Sequence, residues 1–370
     1  MKKFILLLLI LLLLCGCAQE APETEPPTTE APTTQATTEP TTEPTTEPTE
    51  PEPAFRHPLT GVPMDEPLTT RCFAVSIGNT KESLPHFGVS KADILFESFV
   101  NGHTTRRFAL YSDISQVEAI GGSRSMRMQF TDLCLGYDAV GVYAAGSSMV
   151  IGDLNQSGVN GIVSQQWGAD FHWREQSKLD VGVPYEHTLM VNGQGLVDYA
   201  LTKEYAVEQD PDKDYGLRFA EEAAPAEGEV AETITMKLKL YNTIKETLLT
   251  YDPELGAYTM SQYGIDCVDG YYGVPEAYKN VFLLCMPNTD THVYHVVNTV
   301  GSGEGWFACD GKLIPILWHR EENTVPFHFT HTDGTPLEMG IGSSYMALAP
   351  LDSTVEYGPV VEEEVETFPE

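Results

Sequence analysis

The sequence predicts an α+β protein: an N-terminal mixed α/β domain at residues 55–205 and a smaller β-rich domain at 233–355, on a disordered Thr/Pro/Glu stalk. Strand-like and helix-like patterns follow one another in the first segment, which is typical of α/β or α+β folds. From residue 233 onward short apolar alternations predominate, with turn signals such as Asp310-Gly311 between them. This second pattern favours a small sheet or a partial barrel.

Residues 1–16 are predicted to be a secretory signal peptide. Lys2 and Lys3 precede an apolar run of eleven residues, Phe4 to Leu14, whereas a membrane span needs roughly 20. The run ends in Leu-Cys-Gly-Cys, which resembles the bacterial lipobox, where cleavage precedes the last cysteine and a lipid is attached to it. The alternative is an ordinary signal peptide with two incidental cysteines. We expect Cys17 to be the lipidated N-terminus.

Residues 17–54 are predicted to be the lipidated cysteine followed by a disordered linker. The repeated Thr-Thr-Glu-Pro unit removes backbone donors and leaves almost no apolar side chain to bury. In polyproline geometry this linker reaches on the order of 100 Å. It therefore predicts a domain tethered through its lipid to the outer face of the bacterial cytoplasmic membrane.

The charge of the chain limits its partners. The formal net charge is −33, and residues 55–355 alone hold 39 acidic against 19 basic side chains. Nucleic-acid binding and electrostatic docking to anionic headgroups both need clustered Lys and Arg, so neither is expected. Residues 356–370 carry six more Glu and are predicted to be an acidic tail.

The first segment contains a hairpin, a helix and a second helix with a recognisable cap. The predicted elements, in order, are strands Cys72–Ile77, Asp93–Val100 and Arg107–Tyr111 with a turn at Asn101-Gly102, a helix from Ser123 with Met126, Phe130, Leu133 and Cys134 on one face, strand Ala139–Ala144, and a helix toward Gln156 with Ser147 or Ser148 as N-cap.

Residues 206–232 are predicted to be a boundary segment with one strand near Leu217–Ala220. The segment is acidic, and its hydrophobic residues show no clear periodicity. Beyond it, short apolar strands are expected, namely Thr233–Tyr241, Val281–Met286, His292–Thr299, Trp306–Ala308, Leu313–Trp318 and Tyr345–Ala349.

Five cysteines remain outside the signal, at positions 72, 134, 267, 285 and 309. Their number is odd and no C-x-x-C spacing occurs, so buried free thiols are favoured over a disulfide framework. The ten histidines show no H-E-x-x-H spacing either. We therefore expect no metal and no cofactor.

In order along the chain, several motifs resemble the YerB type of bacterial lipoproteins, the DUF3048 family, whose biochemical role is not established. These are His57-Pro-Leu-Thr-Gly61, Gly88-Val-Ser-Lys-Ala-Asp93 with Glu97, Thr105-Arg-Arg-Phe108, Gly121-Gly-Ser-Arg-Ser-Met-Arg127, Val300-Gly-Ser-Gly-Glu-Gly305, and Asp310-Gly-Lys312 with Trp318. The resemblance covers about residues 57–350 and implies an N-terminal and a C-terminal family domain. The chain departs from the family pattern at Gly122, Ser123 and Met126, and at Tyr185-Glu-His-Thr188 where the family tends to have Ala-Pro-His-Asn.

A second resemblance is to the LytR-CpsA-Psr phosphotransferases. It consists of an acidic residue, a hairpin and an arginine-bearing loop in that order, but the full motif set of those enzymes is not present.

Arg124 and Arg127 are the best candidates for a binding site. We expect them in the first turn of the helix that begins near Ser123, where the helix dipole disfavours cations and a bound anion would offset that cost. Arg106 or Arg107, from the preceding strand, would complete the cluster, with Arg107 as the expected member. The alternative is an internal salt-bridge set with Asp93, Glu97 or Asp132 as partners.

His187 is the fourth candidate residue, as a general base near neutral pH or, more simply, as a hydrogen-bonded structural histidine. No complete catalytic set accompanies it. The sequence therefore favours a non-catalytic module that binds an anionic envelope ligand or an envelope protein. The alternative is a cell-wall polymer phosphotransferase.

Overall fold

The structure is a computed structural model and describes residues 53–209, 212–290 and 294–360. Strands predominate over helices in these residues. The four α-helices described are α1 (Met128–Gly136), α2 (Ser148–Ser157), α3 (Gln176–Asp180) and α4 (Gly193–Thr202). Single 3-10 turns lie at Lys81–Ser83, Val89–Lys91, Ile114–Gln116 and Tyr185–His187.

The strands of the described residues, in chain order, are β1 (Phe55–Arg56), β2 (Pro63–Met64), β3 (Phe73–Asn79), β4 (Ile94–Phe99), β5 (Thr105–Tyr111), β6 (Ile120–Gly121), β7 (Val140–Tyr143), β8 (Gly161–Val163), β9 (His172–Arg174), β10 (Leu189–Val191), β11 (Phe219–Ala220), β12 (Glu229–Val230), β13 (Thr233–Leu240), β14 (Thr243–Asp252), β15 (Ala257–Gln262), β16 (Ile265–Asp266), β17 (Ala277–Tyr278), β18 (Asn280–Met286), β19 (Asn288–Asp290), β20 (His295–Val297), β21 (Gly301–Cys309), β22 (Lys312–Arg320), β23 (His328–His331), β24 (Met339–Gly340), β25 (Ser344–Pro350) and β26 (Thr354–Gly358).

One mixed sheet contains strands from both halves of the chain. Its order is β12-β22-β21-β18-β25-β4-β5-β3-β7-β8, and β23 pairs with β22. At its centre β25 lies parallel to β4, so that Ser344 pairs with Ile94 and Leu348 with Ser98. The α/β segment and the β-rich segment thus share a single hydrogen-bonded sheet. Their boundaries at 55–205, 206–232 and 233–355 stay predictions.

A second, antiparallel sheet packs on one face of the first. Its order is β16-β15-β14-β13-β26, with β17 on β15. Small sheets are also present: β6-β10-β9, and the pairs β1-β2, β11-β24 and β19-β20. The second sheet covers the side chains of Val75, Leu95 and Leu283, and α1 covers the opposite face around Phe96 and Phe108. Because both faces are covered, strands such as β4 and β5 are buried at every position.

Several local predictions are confirmed. The hairpin around Asn101-Gly102 joins β4 to β5, and the Asn101 side chain accepts hydrogen bonds from the backbone N–H groups of His103 and Thr104. Ser147 caps α2 through a bond from the N–H of Val150. All five described cysteines are buried free thiols.

The predicted helix start at Ser123 is wrong, because α1 begins at Met128. The backbone N–H of Ser123 bonds to the carbonyl of Leu189, that of Arg124 bonds to Ser76, and the Arg124 carbonyl accepts from Ala144. These bonds to neighbouring strands hold the segment extended and stop the helix from starting earlier. Arg127 is consequently the N-cap residue and Arg124 lies outside the helix altogether.

The start of the predicted acidic tail also differs, since residues 356–358 belong to β26, which pairs with β13. The signal peptide, Cys17 and the linker up to residue 52 lie outside the described residues, as do residues 361–370 of the tail and the first two residues of the strand expected at His292–Thr299. Among the described residues, no helix is long and apolar enough to cross a membrane.

Candidate functional site

A polar cavity of about 360 Å³ lies at one end of the central strands β3 and β5. Four parts of the chain supply its walls: the end of β3 with the turn after it, the β4–β5 hairpin, the segment between β6 and α1, and the turn before β10. The lining residues are Gly78, Asn79, Thr80, Glu82, Asn101, Thr104, Thr105, Arg106, Arg124, Pro184, Glu186 and His187. Arg124 and His187, two of the predicted site residues, therefore share one cavity. We call this the arginine cavity.

Arg106 enters the arginine cavity from β5. In this strand Phe108 and Leu110 belong to the core on the α1 side, and the alternation of side chains places Arg106 on that same face. Its guanidinium Nη1 donates to the carbonyl oxygen of Ser125 at 2.6 Å, and the residue is only 7% exposed. A single carbonyl partner is little compensation for a buried guanidinium, which carries five donors.

Arg124 reaches the cavity because Gly78 has no side chain. A Cβ at Gly78 would lie 2.9 Å from Cγ of Arg124 and 3.2 Å from Nδ1 of His187. Arg124 is half-buried, and its Nη1 donates to the backbone carbonyl of Glu186 at 3.1 Å. Gly78 thus brings an arginine and a histidine from distant parts of the chain together over one strand end.

Arg127 is not among the lining residues, but it is close enough for its charge to act on Arg106. Its Nη1 donates to the carbonyl of Met126 at 2.7 Å, and its guanidinium carbon is 4.9 Å from the centre of the Tyr294 ring. Its Nε is buried and has no hydrogen-bond partner. Arg127 is 8% exposed, so this free donor is withheld from bulk water.

Burial lowers the pKa of all three of these arginines, and the charges of Arg127 and Arg124 lower that of Arg106 further. Guanidinium groups nevertheless stay protonated near neutral pH. Within the described residues none of the three forms an ion pair, although the exposed side chains of Glu82 and Glu186 stand at the rim. The buried part of the site is therefore cationic, whereas its exposed rim carries the two carboxylates of Glu82 and Glu186.

His187 contributes a neutral ring. Burial, and then the charge of Arg124, lower the pKa of His187, so the ring is uncharged at neutral pH. The residue is 6% exposed and its Nδ1 has no hydrogen-bond partner. A buried, unsatisfied ring nitrogen at a cavity wall suits a ligand that can supply the missing hydrogen bond.

Arg107 does not line this cavity. Alternation along β5 turns it toward the second sheet, where it is wholly buried. Its Nη1 donates to Oε2 of Glu276 at 2.6 Å and to Nδ1 of His86 at 2.7 Å, and its Nε lies 4.0 Å from Glu97. Burial opposes ionisation of Glu276, but the charge of Arg107 outweighs it and lowers the pKa of Glu276 to about 2. Arg107 is therefore committed to an internal ion pair.

A second buried pair completes this network. Lys245 lies 2.6 Å from Oε1 of Glu97, and the hydroxyl of Tyr345 donates to Oε2 of the same carboxylate at 2.9 Å. Glu97 and Arg107 come from the α/β segment, whereas Lys245 and Glu276 come from the β-rich segment. Each ion pair thus crosses between the two segments, and the four charges cancel.

The salt-bridge alternative for Arg124 and Arg127 has no support in the described residues. Asp93 accepts from the backbone N–H of Ser112, and Asp132 accepts from Asn323. Glu97, the third expected partner, pairs with Lys245 and lies near Arg107. The three carboxylates are thus occupied away from the arginine cavity.

A larger cavity, of about 610 Å³, lies over the second sheet. Lys245 lines it, but that lysine is paired with Glu97. The remaining walls include the exposed apolar side chains of Ile244 and Leu248. The smaller arginine cavity is the better candidate because its cations lack carboxylate partners.

Within the described residues, no group of three or more His, Cys, Asp or Glu side chains could hold a metal ion. The sequence reasoning overlooked Gly78 and preferred Arg107 to Arg106. The alternation along β5 distinguishes the two arginines, because Arg106 lies two residues before Phe108 and therefore on the same face of the strand.

Two family descriptions match the chain. Residues 59–206 match "Protein of unknown function (DUF3048) N-terminal domain", and residues 235–346 match "Protein of unknown function (DUF3048) C-terminal domain". The chain belongs to the DUF3048 family. The expectation drawn from its motifs is confirmed. Since β25 and β4 pair in the central sheet, the two DUF3048 domains contribute neighbouring strands.

One curated relative is similar over most of the chain. The curated "Putative lipoprotein YerB" of Bacillus subtilis (strain 168) is 28% identical over 281 residues, which are 72% of this chain and 79% of the relative. The crystal structure of YerB protein from Bacillus subtilis matches with a TM-score of 0.69 at 24% identity, covering 82% of this chain and 99% of the other. The structural match shows a shared fold. The comparisons give no support to the LytR-CpsA-Psr alternative.

Proposed function

We propose that this DUF3048 protein is a membrane-tethered, extracytoplasmic module that binds an anionic ligand of the cell envelope in the arginine cavity. The observation that carries the proposal is the cluster of Arg106, Arg124 and Arg127. Three guanidinium groups, two of them more than nine-tenths buried, lie together without a carboxylate partner among the described residues. Such a cluster is costly unless an anion completes it.

The chemistry of the cavity suits phosphate or carboxylate groups. Guanidinium groups bind both with paired hydrogen bonds, and those of Arg106 and Arg124 line the cavity. The neutral His187 ring can accept a hydrogen bond from, or donate one to, a ligand oxygen. The folded part is acidic overall, so a long-range field does not attract anions, and recognition depends on these local donors.

The location follows from the N-terminus and from the relative. The lipobox-like end at Cys17 and the Thr/Pro/Glu linker support a lipid anchor on the outer face of a bacterial cytoplasmic membrane, and the B. subtilis relative is named as a lipoprotein. The fold supports an α/β part and a β-rich part that act together, because they share one sheet.

The test is calorimetric titration of the full chain, purified in a mild detergent, with pyrophosphate and with citrate. Arg106→Gln and Arg124→Gln should each weaken binding about tenfold, or about 1.4 kcal/mol. Arg218→Gln is the matched control, since Arg218 is exposed and lies outside the arginine cavity. Equal affinity of wild type, Arg124→Gln and Arg218→Gln for both anions would remove the proposal.

A further inference from the structure

An exposed aromatic surface continues from the wall of the arginine cavity. The 3-10 turn Tyr185–His187 supplies Glu186 and His187 to the cavity, and its first residue, Tyr185, faces outward with 58% of its surface exposed. Arg174 stacks on this ring, with its guanidinium carbon 3.9 Å from the ring centre. The surface beside the cavity is thus built from an aromatic ring and a further cation.

Arg174 links this turn to the loop that follows β8. Its Nη1 donates to the carbonyl of Tyr185 at 2.7 Å and its Nη2 to Oε1 of Gln165 at 2.8 Å. Arg174 forms no ion pair within the described residues. It is the fourth such arginine in this region, after the three of the cavity cluster, and it adds a cation at the turn that borders the cavity.

Trp167 projects from that loop and is fully exposed. The turn that carries it is held on both sides: Nε2 of His172 donates to the carbonyl of Gln166 at 2.8 Å, and the hydroxyl of Tyr199 donates to Oε1 of Gln166 at 3.2 Å. Two chain steps separate Trp167 from Gln165, so their Cα atoms are at most about 7.6 Å apart. Trp167 is therefore carried by an anchored turn, and Gln165 in the same loop is hydrogen-bonded to Arg174.

Trp167 and Tyr185 are exposed aromatic rings and Arg174 is stacked on Tyr185, and aromatic and arginine side chains are enriched where proteins bind partners. Sugar rings have apolar C–H faces that pack on indole rings, and their anionic substituents would meet Arg174 and the arginine cavity. We infer that the ligand of this surface is an anionic glycan, with a sugar ring on Trp167 and its phosphate or carboxylate groups on the arginines. This inference rests on the proposed function and extends it from an anion to a charged saccharide chain.

The experiment titrates the full chain, in detergent, with tetragalacturonate, a phosphorylated maltotetraose, neutral maltotetraose and pyrophosphate. The wild type should bind at least one of the two charged oligosaccharides at least tenfold more tightly than neutral maltotetraose, and the preferred one identifies the anionic group. Trp167→Ala should lower the affinity for that oligosaccharide about tenfold and change the affinity for pyrophosphate by less than twofold. Tyr357→Ala, an exposed aromatic on β26 in the second sheet, is the matched control and should change neither. Binding should also shift the tryptophan emission of the wild type and not that of Trp167→Ala.

Unchanged oligosaccharide affinity in Trp167→Ala, or equal binding of neutral and charged chains, would overturn the inference while leaving the anion site intact. Unchanged pyrophosphate affinity in Arg124→Gln would overturn the proposed function itself. Because Trp167 is fully exposed, its replacement should not impair folding, and the melting temperature of the variant checks this.

Discussion

Arg106 and Arg107 are consecutive residues of β5, yet their guanidinium groups lie on opposite faces of the central sheet. Arg107 is sealed between the two sheets and ion-paired with Glu276. Arg106 lies on the other face, where its guanidinium donates a hydrogen bond to the carbonyl of Ser125. One dipeptide thus contributes to the ion pairs that join the two segments and to the cavity that we assign to a ligand.

The two arginines should respond oppositely to removal of their charge. Arg107→Met leaves the buried carboxylate of Glu276 without its cationic partner. The free energy of unfolding should therefore fall by about 3–5 kcal/mol. Arg106→Met removes a cation that has no carboxylate partner, and should change the free energy of unfolding by about 1 kcal/mol or less. Urea unfolding monitored by circular dichroism measures both values. Equal losses in the two variants would contradict this assignment.

Gly78→Ala should damage the arginine cavity without unfolding the protein. The new methyl group would lie 2.9 Å from Cγ of Arg124, so that side chain must shift away from His187. We expect pyrophosphate affinity to fall about tenfold. Gly102→Ala is the matched control, because its Cβ would meet no atom within 4 Å. Equal affinities of the two variants would show that Gly78 does not shape the site.

The stability of the protein should decrease when the pH falls below about 6.5. Burial and the charge of Arg107 lower the pKa of His86, so the unfolded chain takes up this proton more readily than the folded one. Its contribution to stability is therefore complete above pH 6.5 and is lost progressively below that value, by up to about 1.4 kcal/mol per pH unit.

His86→Gln should accordingly flatten the dependence of the unfolding free energy on pH between 7 and 5. Burial also lowers the pKa values of His57, His187, His295 and His319, so part of the slope will remain. His103→Gln, at an exposed position, is the control and should leave the slope as it is. A slope unaffected by His86→Gln would refute the role given to this ring.

Cys17→Ala should release the protein from the membrane fraction, because the lipid is expected on that cysteine. Cys15→Ala is the matched control, since Cys15 lies in the part of the signal that is predicted to be removed. Fractionation of cells followed by immunoblotting distinguishes the two. Retention of the Cys17→Ala protein in the membrane would show that something else anchors it.

Local sequence patterns predicted the elements whose partners lie nearby. The alternation over Thr233–Tyr241 identified β13, because one face of that strand is buried and the other is more exposed. The serine at position 147 identified the start of α2, because a cap acts on the N–H groups of the next turn. The family motifs, too, are readable in the chain itself.

The helix expected to start at Ser123 shows where local patterns were insufficient. The spacing of Met126, Phe130 and Leu133 is compatible with a helix that starts at Ser123. The carbonyls of Leu189 and Ser76, however, accept the backbone hydrogen bonds of residues 123 and 124. These partners lie tens of residues away, so no local periodicity indicates them. The same bonds place Arg124 over Gly78 rather than in the first helical turn.

By itself, then, the sequence determined the family and most strands of the central sheet, since these depend on short motifs and nearest neighbours. The tertiary structure decided that β25 pairs with β4, and thus that residues near 94 and 344 become neighbours in one sheet. It also decided that the face of β5 with Arg106 borders the arginine cavity, whereas the second sheet covers the face with Arg107. The pairing of β25 with β4 joins strands some 250 residues apart, and its free energy arises only when the whole core is assembled.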